Sequence, residues 1–192
     1  MVWGLIPGKY ETGNEKSAIA IATLNSDFNF KKDLVAIWGK IATENLGVTT
    51  VLSNILSNPS IRYLIVCGEE VRGHFPGEAL VSFYNEGYQI NSSGRISIKN
   101  THLADPTLPI EESTMGEVYT RFKEQITLVD LIGETDINKI GNVIDNCLSK
   151  DIPPMSSPYT ISLKKKDGIV SLEDEIAIHA KVRLNNMLIC QR

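Results

Sequence analysis

A histidine set among glycines is the feature of this sequence best suited to chemistry. His74 lies in the segment Gly68-Glu-Glu-Val-Arg-Gly-His-Phe-Pro-Gly77, whose glycines and proline indicate close backbone approaches or unusual dihedral angles. A neutral imidazole suits transition metals, although a single histidine in a loop is more often a solvated polar residue. No second histidine, cysteine or carboxylate stands at a spacing that would complete a zinc site. One imidazole suffices, however, where a macrocycle such as haem or a corrin supplies the other ligands.

The remaining residues give weak support to other kinds of site. Gly68 and Gly73 are not followed by the Gly-Lys-Ser/Thr of a P-loop, and the G-x-G-x-x-G dinucleotide fingerprint is absent. No G-x-S-x-G nucleophile elbow occurs, and Cys67 ends an apolar strand. We interpret His102 and His179 as surface residues. The residues alone therefore indicate an α/β domain with a Gly-His-x-x-Gly loop and no catalytic residue of its own.

Alternating strand and helix patterns predict the elements that hold this loop. Apolar runs rich in β-branched residues predict strands at residues 18–23, 34–38, 61–67 and 126–132. Helical periodicity predicts helices that begin near Glu44, Leu80, Glu117 and Asp136. This order is typical of a mainly parallel sheet with helices on both faces. We predict that strand 61–67 is central and delivers His74 to its carboxyl end, where ligands of open α/β sheets bind.

Two segments depart from this alternation. Residues 88–113 are rich in Asn, Ser, Gly and Pro and predict a long loop with a short strand at 95–98, which forms a lid or an insertion over the sheet. Prolines then break the chain after residue 152, so we divide it into a ligand-binding domain of residues 1–152 and a tail of residues 153–192. The tail pattern predicts a hairpin that turns near residues 166–168 and packs on the core or docks a partner.

Bulk composition predicts a soluble, cytoplasmic protein. Hydrophobic residues make up 42% and charged residues 22%, the net charge is −4, and no basic cluster typical of nucleic-acid binding occurs. The amino-terminal residues lack the pattern of a secretory signal, and no apolar stretch reaches the about 20 residues that a membrane span needs. The three cysteines are widely separated, which disfavours a disulfide framework and fits a reducing compartment.

Three blocks in close order resemble a known family. They are Thr43-Glu-Asn-Leu-Gly47, Asn58-Pro-Ser-Ile-Arg-Tyr-Leu-Ile-Val-Cys-Gly68 and Glu70-Val-Arg-Gly-His-Phe-Pro-Gly77. Together they resemble the corrinoid-binding A subunit of tetrahydromethanopterin S-methyltransferase from methanogenic archaea, over roughly residues 5–150. The resemblance implies a Rossmann-like fold. It also implies a cobamide, either cobalamin or 5-hydroxybenzimidazolylcobamide, whose cobalt takes its lower axial ligand from a protein histidine.

Matched motif by motif, the resemblance assigns the cobalt ligand to His74. The other cofactor-binding residues that it implies are Gly68, Glu70, Gly73, Gly77, Thr43, Glu44, Asn45 and Gly47. Metal-bound histidines usually donate their second ring N–H to an oxygen, and we expect Glu70 to accept it here. Thr43 is also expected to cap the helix that follows it, because its hydroxyl can accept an otherwise unpaired amide hydrogen.

The resemblance implies a methyl carrier in transfer from methyl-tetrahydromethanopterin towards coenzyme M. Its cobalt would cycle between Co(I) and methyl-Co(III), with His74 bound opposite the methyl group and detached from Co(I). The chain would act only with methyltransferase subunits that deliver and remove the methyl group. The family's usual member carries a C-terminal membrane helix that is absent here, so we expect a soluble homologue outside the sodium-pumping complex. The alternative is a corrinoid store or regulator without transfer activity.

Overall fold

The structure is a computed structural model that describes residues 3, 5–103 and 106–164. These residues form eight strands and four helices, joined by loops. The strands, numbered in chain order, are β1 (Tyr10–Thr12), β2 (Ile19–Ala22), β3 (Ile37–Gly39), β4 (Tyr63–Gly68), β5 (Tyr88–Ile90), β6 (Ile96–Ile98), β7 (Thr107–Leu108) and β8 (Thr127–Ile132). The helices are α1 (Leu46–Leu56), α2 (Pro76–Glu86), α3 (Glu112–Gln125) and α4 (Ile137–Leu148). All belong to the unit Met1–Ser162. The predicted tail hairpin and His179 lie outside the described residues.

The main sheet has the strand order β1-β3-β2-β4-β8. β2 pairs in parallel with both β3 and β4, and β8 pairs in parallel with β4, whereas β1 joins β3 antiparallel. The chain thus moves from β2 to one side for β3 and then crosses to the other side for β4 and β8. The predicted mainly parallel α/β sheet is confirmed. The apolar strand 61–67 is β4, which lies next to the middle of the sheet rather than at it.

Burial on both faces explains why β4 is apolar along its length. On one face, Ile65 and Cys67 pack in a core cluster that includes Ile140 of α4. Alternate strand residues point to the opposite face, and there Leu64 and Val66 are also buried. Helix α1 contacts α2 and α3, and α2 contacts β8. Full burial of each such side chain stabilises the fold by about 1.5–3 kcal/mol.

Local signals place the helix ends. Asp136 Oδ1 accepts a hydrogen bond from the Asn138 N–H at 2.9 Å, so its predicted role as the N-cap of α4 is confirmed. Pro76 opens α2, where a missing N–H is harmless, and Gly87 follows its end with φ 79°. Helix α3 begins at Glu112, earlier than predicted. In the described ranges, no helix is both long enough and apolar enough to cross a membrane.

Residues 88–113 are more ordered than the predicted loop. β5, β6 and β7 form an antiparallel sheet in that order, and β6 confirms the short strand expected at 95–98. Ile96 and Ile98 of β6 and Leu108 of β7 are buried. The prediction of a long loop was wrong because strands of two or three residues are too short to display a two-residue period in a polar sequence.

Candidate functional site

The His74 loop (residues 69–75) lies at a topological switch point of the main sheet. β4 ends at Gly68, and the loop connects it to α2 at Pro76. The neighbouring strand β2 ends at Ala22. From there the chain continues to β3, which pairs with the edge of β2 that faces away from β4. Such a reversal opens a crevice beyond the carboxyl ends of two neighbouring strands, and ligands of open α/β sheets bind there.

His74 pairs with a carboxylate from a distant segment. Its Nδ1 lies 3.0 Å from Oε2 of Glu44, which stands between β3 and α1. The imidazole side chain is 52% exposed and the Glu44 side chain 19% exposed. A carboxylate accepts hydrogen bonds, so a neutral His74 carries its proton on Nδ1 and a lone pair on Nε2. Within the described residues no hydrogen bond reaches Nε2, which leaves this nitrogen available to a ligand.

The segment between β3 and α1 carries Glu44 to the His74 loop. Thr43 Oγ1 accepts a hydrogen bond from the Gly47 N–H at 3.1 Å, which ties the segment to the first turn of α1. The prediction that Thr43 satisfies an unpaired amide is confirmed, although Asn45 occupies the N-cap position itself. A Cβ on Gly47 would lie 2.6 Å from Ile41 Cγ2, so a larger residue would displace the segment.

Asn45 has an unmet hydrogen-bonding atom in the same segment. Its Oδ1 is buried and has no partner in the part of the chain that the structure describes, and its side chain caps no amide of α1. A buried acceptor without a donor costs about 1–3 kcal/mol. A hydrogen-bond donor on a bound ligand would remove this cost.

Glu70 serves α2 instead of His74. Its two carboxylate oxygens accept hydrogen bonds from the backbone N–H groups of Gly77, at 3.3 Å, and Glu78, at 2.7 Å. The first turn of a helix leaves these amides unpaired, and the helix dipole favours negative charge beside them. The structure therefore pairs His74 with Glu44 rather than with the expected Glu70, because the amides of α2 engage both oxygens of Glu70.

Three glycines in or next to the loop differ in the space around them. A Cβ on Gly68 would lie 2.5 Å from the carbonyl oxygen of Thr23, and one on Gly77 would lie 2.6 Å from Oε1 of Glu70. Gly68 is therefore required by packing against backbone, whereas a side chain at Gly77 would push the Glu70 carboxylate aside. Gly73 adopts φ +85°, and a Cβ there would meet nothing within 4 Å. Of these three, Gly73 is the glycine beside open space.

Phe75 carries backbone strain that the sequence patterns do not single out. It adopts φ 42° and ψ 52°, the left-handed region, immediately before α2. An L residue other than glycine pays about 1–2 kcal/mol there. The available signal was its position before Pro76, because a following proline disfavours the right-handed helical conformation. Phe75, which directly follows His74, is 39% exposed.

The other candidate residues do not join this site. His102 Nδ1 lies 3.1 Å from Oε1 of Glu78, and its side chain is 96% exposed, which fits the surface interpretation. Burial raises the pKa of the Cys67 thiol to about 12, so the thiol stays neutral and is a poor nucleophile. The described ranges hold no group of three His, Cys, Asp or Glu side chains placed to bind a metal.

Clefts are also found away from His74. One of about 350 Å³ is lined by Ser17 and Ser60, which precede β2 and β4, and by Cys147 near the end of α4. It therefore lies at the amino end of the parallel strands, opposite the edge where ligands of such sheets bind. We place the candidate site at the carboxyl edge, where the Glu44–His74 pair and the buried Asn45 acceptor lie.

Comparisons with known proteins agree with the motifs around this site. The family of tetrahydromethanopterin S-methyltransferase A subunits matches residues 1–179. The A subunit of this methyltransferase from Methanosphaera stadtmanae is 36% identical over 154 residues, which cover 78% of this chain and 58% of that relative. The A subunit from Methanocaldococcus jannaschii is 33% identical over 202 aligned positions, with 98% of this chain and 81% of that relative covered. The A subunit of the methyltransferase Mtx from Methanosarcina barkeri is 33% identical over 171 residues, with 88% and 83% covered. The chain belongs to the family of tetrahydromethanopterin S-methyltransferase A subunits.

Proposed function

We propose that this protein is a corrinoid-carrying subunit in methyl transfer from methyl-tetrahydromethanopterin towards coenzyme M, with His74 as the lower axial ligand of the cobalt. The observation that carries the proposal is the 3.0 Å contact between His74 Nδ1 and Glu44 Oε2. Metal-bound histidines typically donate their other ring N–H to a carboxylate in this way. Family membership supplies the class of reaction.

The residues of the site fit a large macrocyclic ligand. Because the described residues contain no cluster of three metal-binding side chains, a metal held by His74 would need its other ligands from a bound group such as a macrocycle. The half-exposed imidazole is accessible to such a ligand, and Gly73 leaves open space one residue before it. The unpartnered Oδ1 of Asn45 would accept a hydrogen bond from an amide group at the corrin periphery.

When bound, the cobamide supplies a cobalt ion that accepts a methyl group and passes it on. Within the protein, Glu44 holds the Nδ1 proton of His74 whether or not Nε2 is bound to metal. The ring therefore keeps its tautomer and orientation in both conditions. Because His74 is 52% exposed, water can donate to Nε2 when no metal occupies it. Nε2 therefore has a partner in both conditions, the metal in one and water in the other.

The remaining residues of the proposed site act as positioning residues. Glu70 holds the start of α2, and with it the end of the His74 loop. Thr43 holds the segment before α1. Gly47, Gly68 and Gly77 allow the close packing that these two arrangements require. In this proposal the chain binds and presents the cofactor.

Delivery and removal of the methyl group belong, in this proposal, to other methyltransferase subunits. The relatives from Methanosphaera stadtmanae and Methanocaldococcus jannaschii are named as the A subunit of a methyltransferase. A methyl-transfer assay with the other subunits of such an enzyme separates a carrier from a corrinoid store or regulator. A store would bind the cobamide through His74 and transfer no methyl group in that assay.

The axial ligand is tested by electron paramagnetic resonance of cob(II)alamin bound to the full chain. A histidine nitrogen on the cobalt splits the signal into triplets, and labelling the protein with ¹⁵N-histidine converts them into doublets because the nuclear spin changes. We expect this conversion in the wild-type protein and its loss in His74→Ala.

His102→Ala is the matched control, because His102 is likewise paired with a glutamate, at 3.1 Å, and lies outside the proposed site. It should retain the doublets of the labelled wild-type protein. Triplets that persist after histidine labelling would mean that the nucleotide base of the cofactor ligates the cobalt, and the proposed role of His74 would be refuted.

A further inference from the structure

Phe75 holds a costly backbone conformation that the surrounding chain fixes. Its φ of 42° lies in the left-handed region, which bulky side chains rarely adopt. The Phe75 N–H donates to the Val71 carbonyl at 3.0 Å, and the Phe75 carbonyl accepts from the Ala79 N–H at 3.1 Å. These bonds close the turn and start α2, and they involve only backbone atoms of Phe75. Any residue other than proline could make them, and asparagine or glycine would make them with less strain.

The fold buries Phe75 only in part. Leu24 is also left-handed, with φ 50°, but its side chain is fully buried, and burial offsets the strain. Phe75 is 39% exposed, and the aromatic ring pairs of the described residues do not include it. The remaining left-handed residues outside glycine in the described ranges are Asn100 and Asp151, types that tolerate this region. Phe75 is thus a strained residue that leaves a substantial part of its apolar surface in contact with solvent.

Strained residues of this kind cluster at active sites and at ligand-binding sites. We propose that the Phe75 ring is an apolar contact for the corrin, packed against the macrocycle that His74 ligates. This inference rests on the proposed function. Neighbouring Cα atoms are about 3.8 Å apart, so a large group held by His74 would come close to Phe75. Binding would then cover the ring area that water contacts in the free protein.

The test compares cofactor affinity with thermal stability in the same variants. Hydroxocobalamin is titrated into the full chain, and the melting temperature is measured without cofactor. We expect Phe75→Asn to bind about tenfold more weakly, because the apolar contact is lost. The same variant should keep a melting temperature close to that of the wild-type protein, because relief of the left-handed strain offsets the loss of the partly buried ring. Phe75→Tyr keeps the ring and should bind like the wild-type protein.

Ile90→Asn is the control for loss of an exposed apolar side chain, since Ile90 is 40% exposed and belongs to β5 of the small sheet. It should leave the affinity for hydroxocobalamin unchanged. A loss of affinity without a loss of thermal stability for Phe75→Asn, with neither property changed in Phe75→Tyr, would support the inference.

Equal affinity of Phe75→Asn and the wild-type protein for hydroxocobalamin would overturn the inference. The proposed function would still stand in that case if the histidine signal of the wild-type protein were lost in His74→Ala. If the wild-type protein bound no hydroxocobalamin, both would fail together. If Phe75→Asn kept its corrinoid affinity but lost methyl transfer with partner subunits, the ring would contact a protein, and the inference would again be overturned.

Discussion

Replacing Glu44 by glutamine tests how the site controls its histidine. Glutamine has nearly the same shape and keeps an acceptor oxygen for His74 Nδ1, but it removes the negative charge. The wild-type contact is 3.0 Å long, so the neutral hydrogen bond has room to form. The change therefore isolates the effect of charge on the imidazole, whereas Glu44→Ala removes both the charge and the hydrogen bond.

The expected magnitude follows from the exposure of the pair. A hydrogen bond to a charged group contributes about 1.5–3 kcal/mol and a neutral one about 0.5–1.5 kcal/mol, a difference of about 1 kcal/mol or slightly more. His74 is 52% exposed, so solvent screens part of this difference. About 0.5–1 kcal/mol remains, equivalent to roughly two- to fivefold in affinity. For Glu44→Ala, loss of the supporting carboxylate predicts about 10- to 100-fold weaker metal binding.

The measurement is a spectroscopic titration of hydroxocobalamin into each variant, with the dissociation constant taken from the axial-ligand bands. Glu78→Gln is the matched control, because Glu78 makes a similar contact of 3.1 Å with His102. We expect its dissociation constant to equal that of the wild-type protein, since His102 lies outside the proposed site.

The order of the variants in affinity can refute this explanation. Binding of Glu44→Ala as tight as that of the wild-type protein would mean that the carboxylate does not support His74 as a ligand. Equal losses in Glu44→Gln and Glu44→Ala would mean that the neutral hydrogen bond contributes nothing to ligand binding, contrary to the graded losses expected.

Two further predictions concern stability and reactivity. Gly77→Ala should destabilise the protein by about 1–3 kcal/mol in urea unfolding, because its Cβ would lie 2.6 Å from Oε1 of Glu70. Gly141→Ala, in α4, has open space within 4 Å and should instead stabilise by about 0.5–1 kcal/mol; equal effects of the two substitutions would contradict this difference in packing. Cys67 should resist iodoacetamide at pH 8 in the folded protein and react after unfolding, because burial raises its pKa to about 12. Mass spectrometry of trypsin fragments would measure this, and rapid labelling of the native thiol would show that Cys67 is accessible.

The larger elements of the fold could be predicted because their own residues carry the signal. β4 is apolar without interruption and is buried along its whole length, as a strand covered on both faces should be. α4 combines a capping aspartate with an apolar stripe that includes Ile140 and Ile144. The small sheet of β5, β6 and β7 could not be predicted in the same way. Its strands are held by pairing with one another, and pairing partners leave no mark within a stretch of two or three residues.

The sequence by itself determined that a histidine stands in a glycine-rich turn after a buried strand, because residue types and spacing are local properties. Tertiary structure decided which carboxylate that histidine meets. Glu70 is near in sequence, but the free amides at the start of α2 draw its oxygens away. Glu44 is 30 residues from His74, and the two meet because parallel strands bring successive carboxyl ends to one edge of the sheet. The glutamate that precedes His74 most closely in sequence is therefore not its partner, because the amino terminus of α2 attracts the negative charge of Glu70.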